Sequence, residues 1–338
     1  MAQPVREAAA SGGLEADCVR RMCWPLLLGH PESGNKRSLE LPAAGSWRSG
    51  AENDRMREQI WKDVERSLAG DHQHLRPALH QLICACLEEC PYLHYYQGFH
   101  DIAALMLLLL GRDRSLYALS ALSRFWLRDY MLCNLDATIR HMNFVVMLLT
   151  PKLRAYLASV DSFSPYFSLT WILTWYSHEY PNPRLFDLFL AYGPIMVLYL
   201  SACIIRVFEY EILSLEPDFS TVHHFLSRLG DRVFLASPDR LENIISQAIL
   251  MYKERPLSMA QMEQYFGRHS CITRFHIDVL QGQFSNTEDL VAKQELENTQ
   301  NIVRVVPSKS LTLPRWVLEQ AVAVLAAGAV ISFFLEAQ

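Results

Sequence analysis

Two short stretches set residues with chemical potential at a defined spacing. In Ile60-Trp61-Lys62-Asp63-Val64-Glu65-Arg66 a carboxylate stands one helical turn before an arginine, so Asp63 can orient the Arg66 guanidinium. The same spacing also suits an arginine that only offsets the dipole of a helix ending near Gly70. Gln97 stands thirty-one residues after Arg66, and its stretch Tyr95-Tyr96-Gln97-Gly98 falls between Pro91, which ends one helix, and a new helix starting near His100-Asp101. Taken alone it reads equally as an aromatic loop with a glycine turn. Other patterns fail on their spacing. In the stretch from Gly29 to Lys36, Asn35 separates Gly34 from Lys36 and no strand precedes, against a phosphate loop. Cys86, Cys90 and His94 recur every four residues, but Pro91 breaks the helix that would align them, and buried thiols are the better reading. His178-Glu179 lacks the second histidine of H-E-x-x-H, and there is no G-x-S-x-G, so the chain shows no hydrolase site of its own.

The elements that must position these residues read as helical. After residue 52 the apolar positions recur at helical spacing: Met56, Ile60, Val64; Leu79, Leu82, Ile83, Cys86, Leu87; Ile102, Leu105, Met106, Leu109. Similar patterns cover about 114–130, 137–159, 166–179, 184–192, 195–213, 220–229 and 239–253, separated by Pro, Gly or short polar clusters. No strand pattern competes, so the expected fold class is all-α. Residues 1–13 are expected to be disordered, and 29–54, rich in Gly, Pro and Ser, to form a long surface connection. Past Pro256 the periodicity weakens, and the polar stretch 281–300 suggests that 256–314 is a helical or polar linker.

With 338 residues, 51% hydrophobic and 20% charged, the chain can bury one large core or two smaller ones. A net charge of -5 lacks the basic excess of a nucleic-acid binder. The eight cysteines show no C-x-x-C pair and read as free thiols in the cytosol. No continuous apolar run follows Met1, so a secretory signal is not expected. At the other end, residues 316–335, WVLEQAVAVLAAGAVISFFL, would span about 30 Å as a helix, although Glu319 and Gln320 leave only 15 unbroken apolar residues. Lys309 and Arg315 precede this stretch. The expectation is a C-terminal transmembrane anchor over 315–338 that leaves the N-terminal bulk in the cytosol, with a buried last helix as the alternative.

In this order, the two motifs around Arg66 and Gln97 resemble the arginine-finger and glutamine-finger motifs of the TBC domain, the Rab GTPase-activating module. Arg20-Arg21-Met22-Cys23-Trp24-Pro25 looks like that family's opening helix, and Arg184-Leu185-Phe186-Asp187 is similar to its R-L-W-D element, with Phe186 in place of Trp. The resemblance covers about 14–255. It narrows, through the run from Leu93 to Ile102, Trp171-Ile172-Leu173-Thr174-Trp175 and the stretch from Val222 to Ser227, to a reticulum-anchored branch acting on the Rab of reticulum-to-Golgi traffic. The resemblance implies that Arg66 and Gln97 are catalytic, Arg66 stabilising transition-state charge and Gln97 orienting the attacking water, with Asp63, Tyr95, Gly98 and Asp101 in support. It implies a Rab-family small GTPase as partner, action at the endoplasmic reticulum membrane from the cytosolic side, and no cofactor of the chain's own, since GTP and Mg²⁺ belong to the Rab. A different class of function remains open beside it: a non-catalytic scaffold that binds Rab or trafficking partners through the same groove.

Overall fold

The computed structural model describes residues 2–29, 51–132, 135–160, 163, 165–284 and 286–304. All α-helical and strand structure among them is helical, in eighteen α-helices. The expected all-α class is therefore met for the domain itself.

The chain opens with α1 (Ala2–Ser11), where disorder was expected. Its Arg6 is buried and donates to the carbonyls of Leu190 and Leu27 at 2.9 and 2.8 Å, next to the ends of two other helices. Those last-turn carbonyls have no partner within their own helix, so a guanidinium that satisfies them fixes the amino terminus to the domain. Burial lowers the Arg6 pKa to about 10. The helices it joins are α2 (Asp17–Leu27) and, further along, one that carries Asp187.

Next come α3 (Ala51–Arg66), α4 (Arg76–Glu89), α5 (Phe99–Leu110) and α6 (Arg112–Phe125), which pack on one another. α3 buries only Ile60, Asp63 and Val64, spaced three and four apart, which is the stripe that an amphipathic helix lays on a core. α7 (Asp136–Met147) and α8 (Pro151–Ser159) were expected as one helix. Thr150 divides them, accepting a bond from the Leu153 amide as N-cap ahead of Pro151 at the first helical position. The expected helix over 166–179 also ends early, as α9 (Leu169–Thr174). α10 (Pro183–Tyr192) and α11 (Ile195–Val207) follow, and every residue of α11 from Ile195 to Ile205 is buried. That apolar run is the central core helix, not a membrane span.

After α11 come α12 (Glu209–Leu213), α13 (Phe219–Ser227), α14 (Leu229–Phe234) and α15 (Pro238–Glu254), of which α14 and α15 pack on α11. Beyond them, α16 (Met259–Phe266), α17 (Cys271–Phe275) and α18 (Thr287–Arg304) lie within the region expected to be linker. They are tied to the core through Asp129, which is wholly buried. Asp129 accepts from the Cys271 amide at 2.9 Å and the Gln294 side chain at 2.8 Å, while Arg128 donates to the His269 carbonyl at 2.6 Å. Phe266 of α16 also packs its ring on Phe144 of α7, and the polar surface pattern over 281–300 gave no sign of the buried Gln294 contact.

No helix among the described residues is long and apolar enough to cross a membrane. Against the expected architecture, the domain therefore does not end in a transmembrane helix among the described residues. α18 has 18 residues but carries charges along its length, and apolar α11 has only 13. The Ala-rich stretch 316–335 behind that expectation lies outside the described residues.

Candidate functional site

Arg66 is the last residue of α3 and Asp63 lies one turn earlier. The Asp63 side chain is wholly buried and accepts from the Arg66 Nη2, whereas 56% of the Arg66 side chain is exposed. The Arg66 head is thus tethered at its root and otherwise open to an incoming partner. Beyond Arg66 the backbone turns sharply. Ser67 bonds back to the Val64 carbonyl at 2.9 Å, Leu68 takes a left-handed φ of 53°, and Arg76 from α4 donates to the Ser67 carbonyl at 3.0 Å. This short connection, which continues as a 3-10 helix over Gly70–Leu75, holds the end of α3 against the start of α4.

The second motif arrives on the loop between α4 and α5. The Tyr95 hydroxyl donates to the Asp63 Oδ2 at 2.9 Å, and the Tyr95 hydroxyl oxygen lies 3.0 Å from the His100 Nδ1. Tyr96 is buried, bonds to the Leu173 carbonyl at 2.9 Å and packs its ring against Phe99 and Tyr130. Gln97 therefore sits on a loop clamped by its two preceding tyrosines, one on α3 and one on α9. Gly98 is essential to this clamp for two reasons. Its φ of 105° is a left-handed value, and a Cβ there would lie 2.7 Å from the Thr174 Cγ2. Gln97 itself is half-buried.

Asp101, in the first turn of α5, bridges two histidines. Its Oδ2 is 2.9 Å from the His178 Nδ1, and its Oδ1 is 3.4 Å from the His100 Nε2. His178 reaches this position because α9 ends at Trp175 and Tyr176, both left-handed with φ of 52° and 66°. Non-glycine residues hold such angles only where surrounding packing fixes them. Here both rings are buried, Trp175 against Phe186 and Phe189, Tyr176 stacked on Trp171 with its hydroxyl 2.7 Å from Ser201.

The electrostatics follow from these contacts. Burial and then the Asp63 charge push the Tyr95 phenol well above its ordinary range. Its hydrogen bond to Asp101 raises the His178 imidazole, while burial lowers that of His100 against the pull of Asp101 and Asp63. The structure brings together Asp63, Arg66, Tyr95, Gly98 and Asp101, with Gln97 on the clamped loop between them. Sequence reading missed His100 and His178 as members of this cluster. The His100-Asp101 pair was visible, but nothing in the spacing of His178 pointed 77 residues back to Asp101.

The two remaining motifs meet each other elsewhere. Asp187 on α10 is wholly buried and accepts from the Leu14 amide at 2.8 Å, Trp24 Nε1 at 2.7 Å and Arg20 Nη2 at 2.9 Å. Arg184 bonds to Glu242 at 2.8 and 3.1 Å and to the Ala9 carbonyl at 3.1 Å. Around the buried Asp187 this constellation fastens α1, α2 and α10 together, with Glu242 at its solvent edge.

The Rab-GTPase-TBC domain pattern matches residues 17–213, more than half of the chain, and the chain belongs to that family. It is 33% identical over 239 residues to TBC1 domain family member 20 of Bos taurus, covering 66% of this chain and 57% of the relative. It is also 29% identical over 208 residues to the GTPase-activating protein gyp10 of Schizosaccharomyces pombe, covering 58% of this chain and 54% of the relative. The chain thus spans little more than half the length of these curated relatives. Among solved structures, the Ypt/Rab-GAP domain of Gyp1p superposes with a TM-score of 0.63 over 75% of this chain and 94% of that one, at 13% identity. That likeness is one of fold.

Proposed function

We propose that this chain is a GTPase-activating protein for a Rab-family small GTPase, with Arg66 and Gln97 entering the partner's nucleotide site. The observation that carries this reading is the Arg66–Asp63 pair, an exposed guanidinium held by a buried carboxylate directly beside the loop that bears Gln97. In GTP hydrolysis negative charge spreads over the transferring phosphoryl oxygens, and the attacking water must be held in line. A guanidinium brought in from outside stabilises the first, and an amide that both donates and accepts orients the second. GTP and Mg²⁺ come with the Rab.

Asp63 keeps Arg66 near its working direction until the partner docks, so less side-chain freedom is lost on entry. Gly98 and the two tyrosines do the same for Gln97. The likeness to TBC1 domain family member 20 favours a Rab of the reticulum-to-Golgi class, and on the same likeness we propose the cytosolic side of the endoplasmic reticulum as the place of action. The test is single-turnover GTP hydrolysis by a panel of Rabs with the full chain, Arg66→Ala and Gln97→Ala. Acceleration of one Rab, lost in both variants, supports the reading. A folded chain that binds a Rab without accelerating it would make the domain a scaffold.

A further inference from the structure

We propose that Gln294 of α18 is a positioning residue for the glutamine loop: through Asp129 and the 3-10 turn Arg128–Tyr130 it holds His94 and Tyr96, and with them Gln97, in place. The inference rests on the reading of Gln97 as the residue that orients the attacking water. The sequence suggests a polar linker here, yet the Gln294 side chain is buried and touches two charged residues that are wholly buried themselves.

The turn makes two sets of contacts. In the first, Gln294 bridges its two charged residues: Nε2 donates to the Asp129 Oδ1 at 2.8 Å, and Oε1 accepts from the Arg128 Nε at 3.4 Å. A side-chain amide suits this place because it donates to a carboxylate and accepts from a guanidinium at once. The other partners of Asp129 are the Ser270 hydroxyl, the Cys271 amide at 2.9 Å and the His141 Nε2 at 3.4 Å. A carboxylate buried away from water depends on such donors, and removing one leaves part of its charge uncompensated.

The second set holds the loop. The Tyr130 ring packs edge-on against Tyr96, with centroids 6.2 Å apart, and the Met131 carbonyl next to it accepts from the His94 amide at 2.8 Å. The Tyr130 hydroxyl is fixed in turn, 2.9 Å from the His141 Nδ1. A 3-10 turn of three residues has few and poorly aligned bonds of its own to keep it in place. The side chains that grip it therefore set its position. Slackening the grip on Asp129 shifts Tyr130 and Met131 together, and the loop from His94 to Gln97 follows. Gln294 acts only through this turn and reaches neither nucleotide nor water.

The experiment compares the native full chain with Gln294→Met, which keeps the length of the side chain and removes both bonds. In single-turnover GTP hydrolysis at rising chain concentration, the plateau rate on the Rab that the native chain accelerates is expected to fall about 10- to 100-fold, with the half-saturating concentration unchanged. A merely structural role would do the opposite, since a smaller folded fraction raises the half-saturating concentration and leaves the plateau where it was. With no GTPase present, hydrogen exchange at the His94 amide is expected to speed up about tenfold, while that of the Leu14 amide, bound to Asp187, stays as it is. If Gln294→Met fails to fold, Ser270→Ala, which removes another donor to Asp129, serves in its place. An unmoved plateau, or unmoved His94 exchange, overturns the proposal. A native chain that accelerates no Rab would count against the activating reading instead, and the His94 exchange then decides alone whether Gln294 holds the loop.

Discussion

Asp63 and Asp187 are the same device put to opposite uses. Each carboxylate is wholly buried and each grips an arginine, but the Arg66 side chain is 56% exposed and the Arg20 side chain 11%. Asp187 is also saturated by an indole and a backbone amide, so its arginine is one donor among several on a sealed face. Asp63 has the Tyr95 hydroxyl, a long contact from Gln59 and an arginine whose far side meets solvent. The difference separates a bond that fastens helices from one built to be exchanged.

The comparison breaks most sharply at the arginines. Arg66→Ala is expected to abolish GTPase activation, a loss of about 10³ to 10⁵ in single-turnover rate or roughly 4 to 7 kcal/mol, while the denaturant midpoint falls less than for a change at Asp187, because Arg66 is half solvated and Asp63 keeps the Tyr95 hydroxyl. Asp187→Asn should do the reverse. Removing the buried charge strands Arg20 and costs about 3 to 5 kcal/mol of stability, read by urea denaturation, with activation per folded molecule retained.

Gly98→Ala tests the clamp between these extremes. Its left-handed φ and the approach of Thr174 predict a loss of about 1 to 3 kcal/mol, together with weaker activation because Gln97 is displaced. The smallest effect belongs to His178. Asp101 raises its pKa in the folded chain, so its contribution to stability is full below about pH 6.5 and is lost as pH rises through the raised folded value. The gap in melting temperature between the native chain and His178→Gln should therefore close as pH rises above the ordinary imidazole value and through the raised folded one, whereas the gap for Asp187→Asn should not follow that profile.

Much of the fold was legible because its helices are amphipathic and punctuated by proline and glycine. Ile60 and Val64 marked the inner face of α3, and the helix expected from 184 does start at Pro183 behind its cap Asn182, whereas Pro151, capped by Thr150, divides what was expected as one helix. What the pattern could not show were single polar residues that act over long sequence distances. Arg6 binds carbonyls more than 180 residues away, and Asp129 holds residues more than 140 positions on, so a tail and a linker were expected where packed helices stand. The site divides in the same way. Asp63 and Arg66 share one helical turn, and Tyr95, Gln97 and Gly98 share one loop. His178 joins them only because Trp175 and Tyr176 hold left-handed angles that no periodicity encodes. The expected membrane helix is a separate case, since 316–335 lies outside the described residues and no described helix has both the length and the apolarity to cross.

The central claim is that Arg66 leaves Asp63 to meet a phosphoryl group in transit. It is tested most directly by complex formation with a Rab loaded with GDP, in the presence and absence of aluminium fluoride, which mimics that group. The account predicts a complex that depends on fluoride for the native chain and is lost for Arg66→Ala but kept for Asp187→Asn. An Arg66→Ala chain that binds the fluoride-loaded Rab as tightly as the native chain would contradict it.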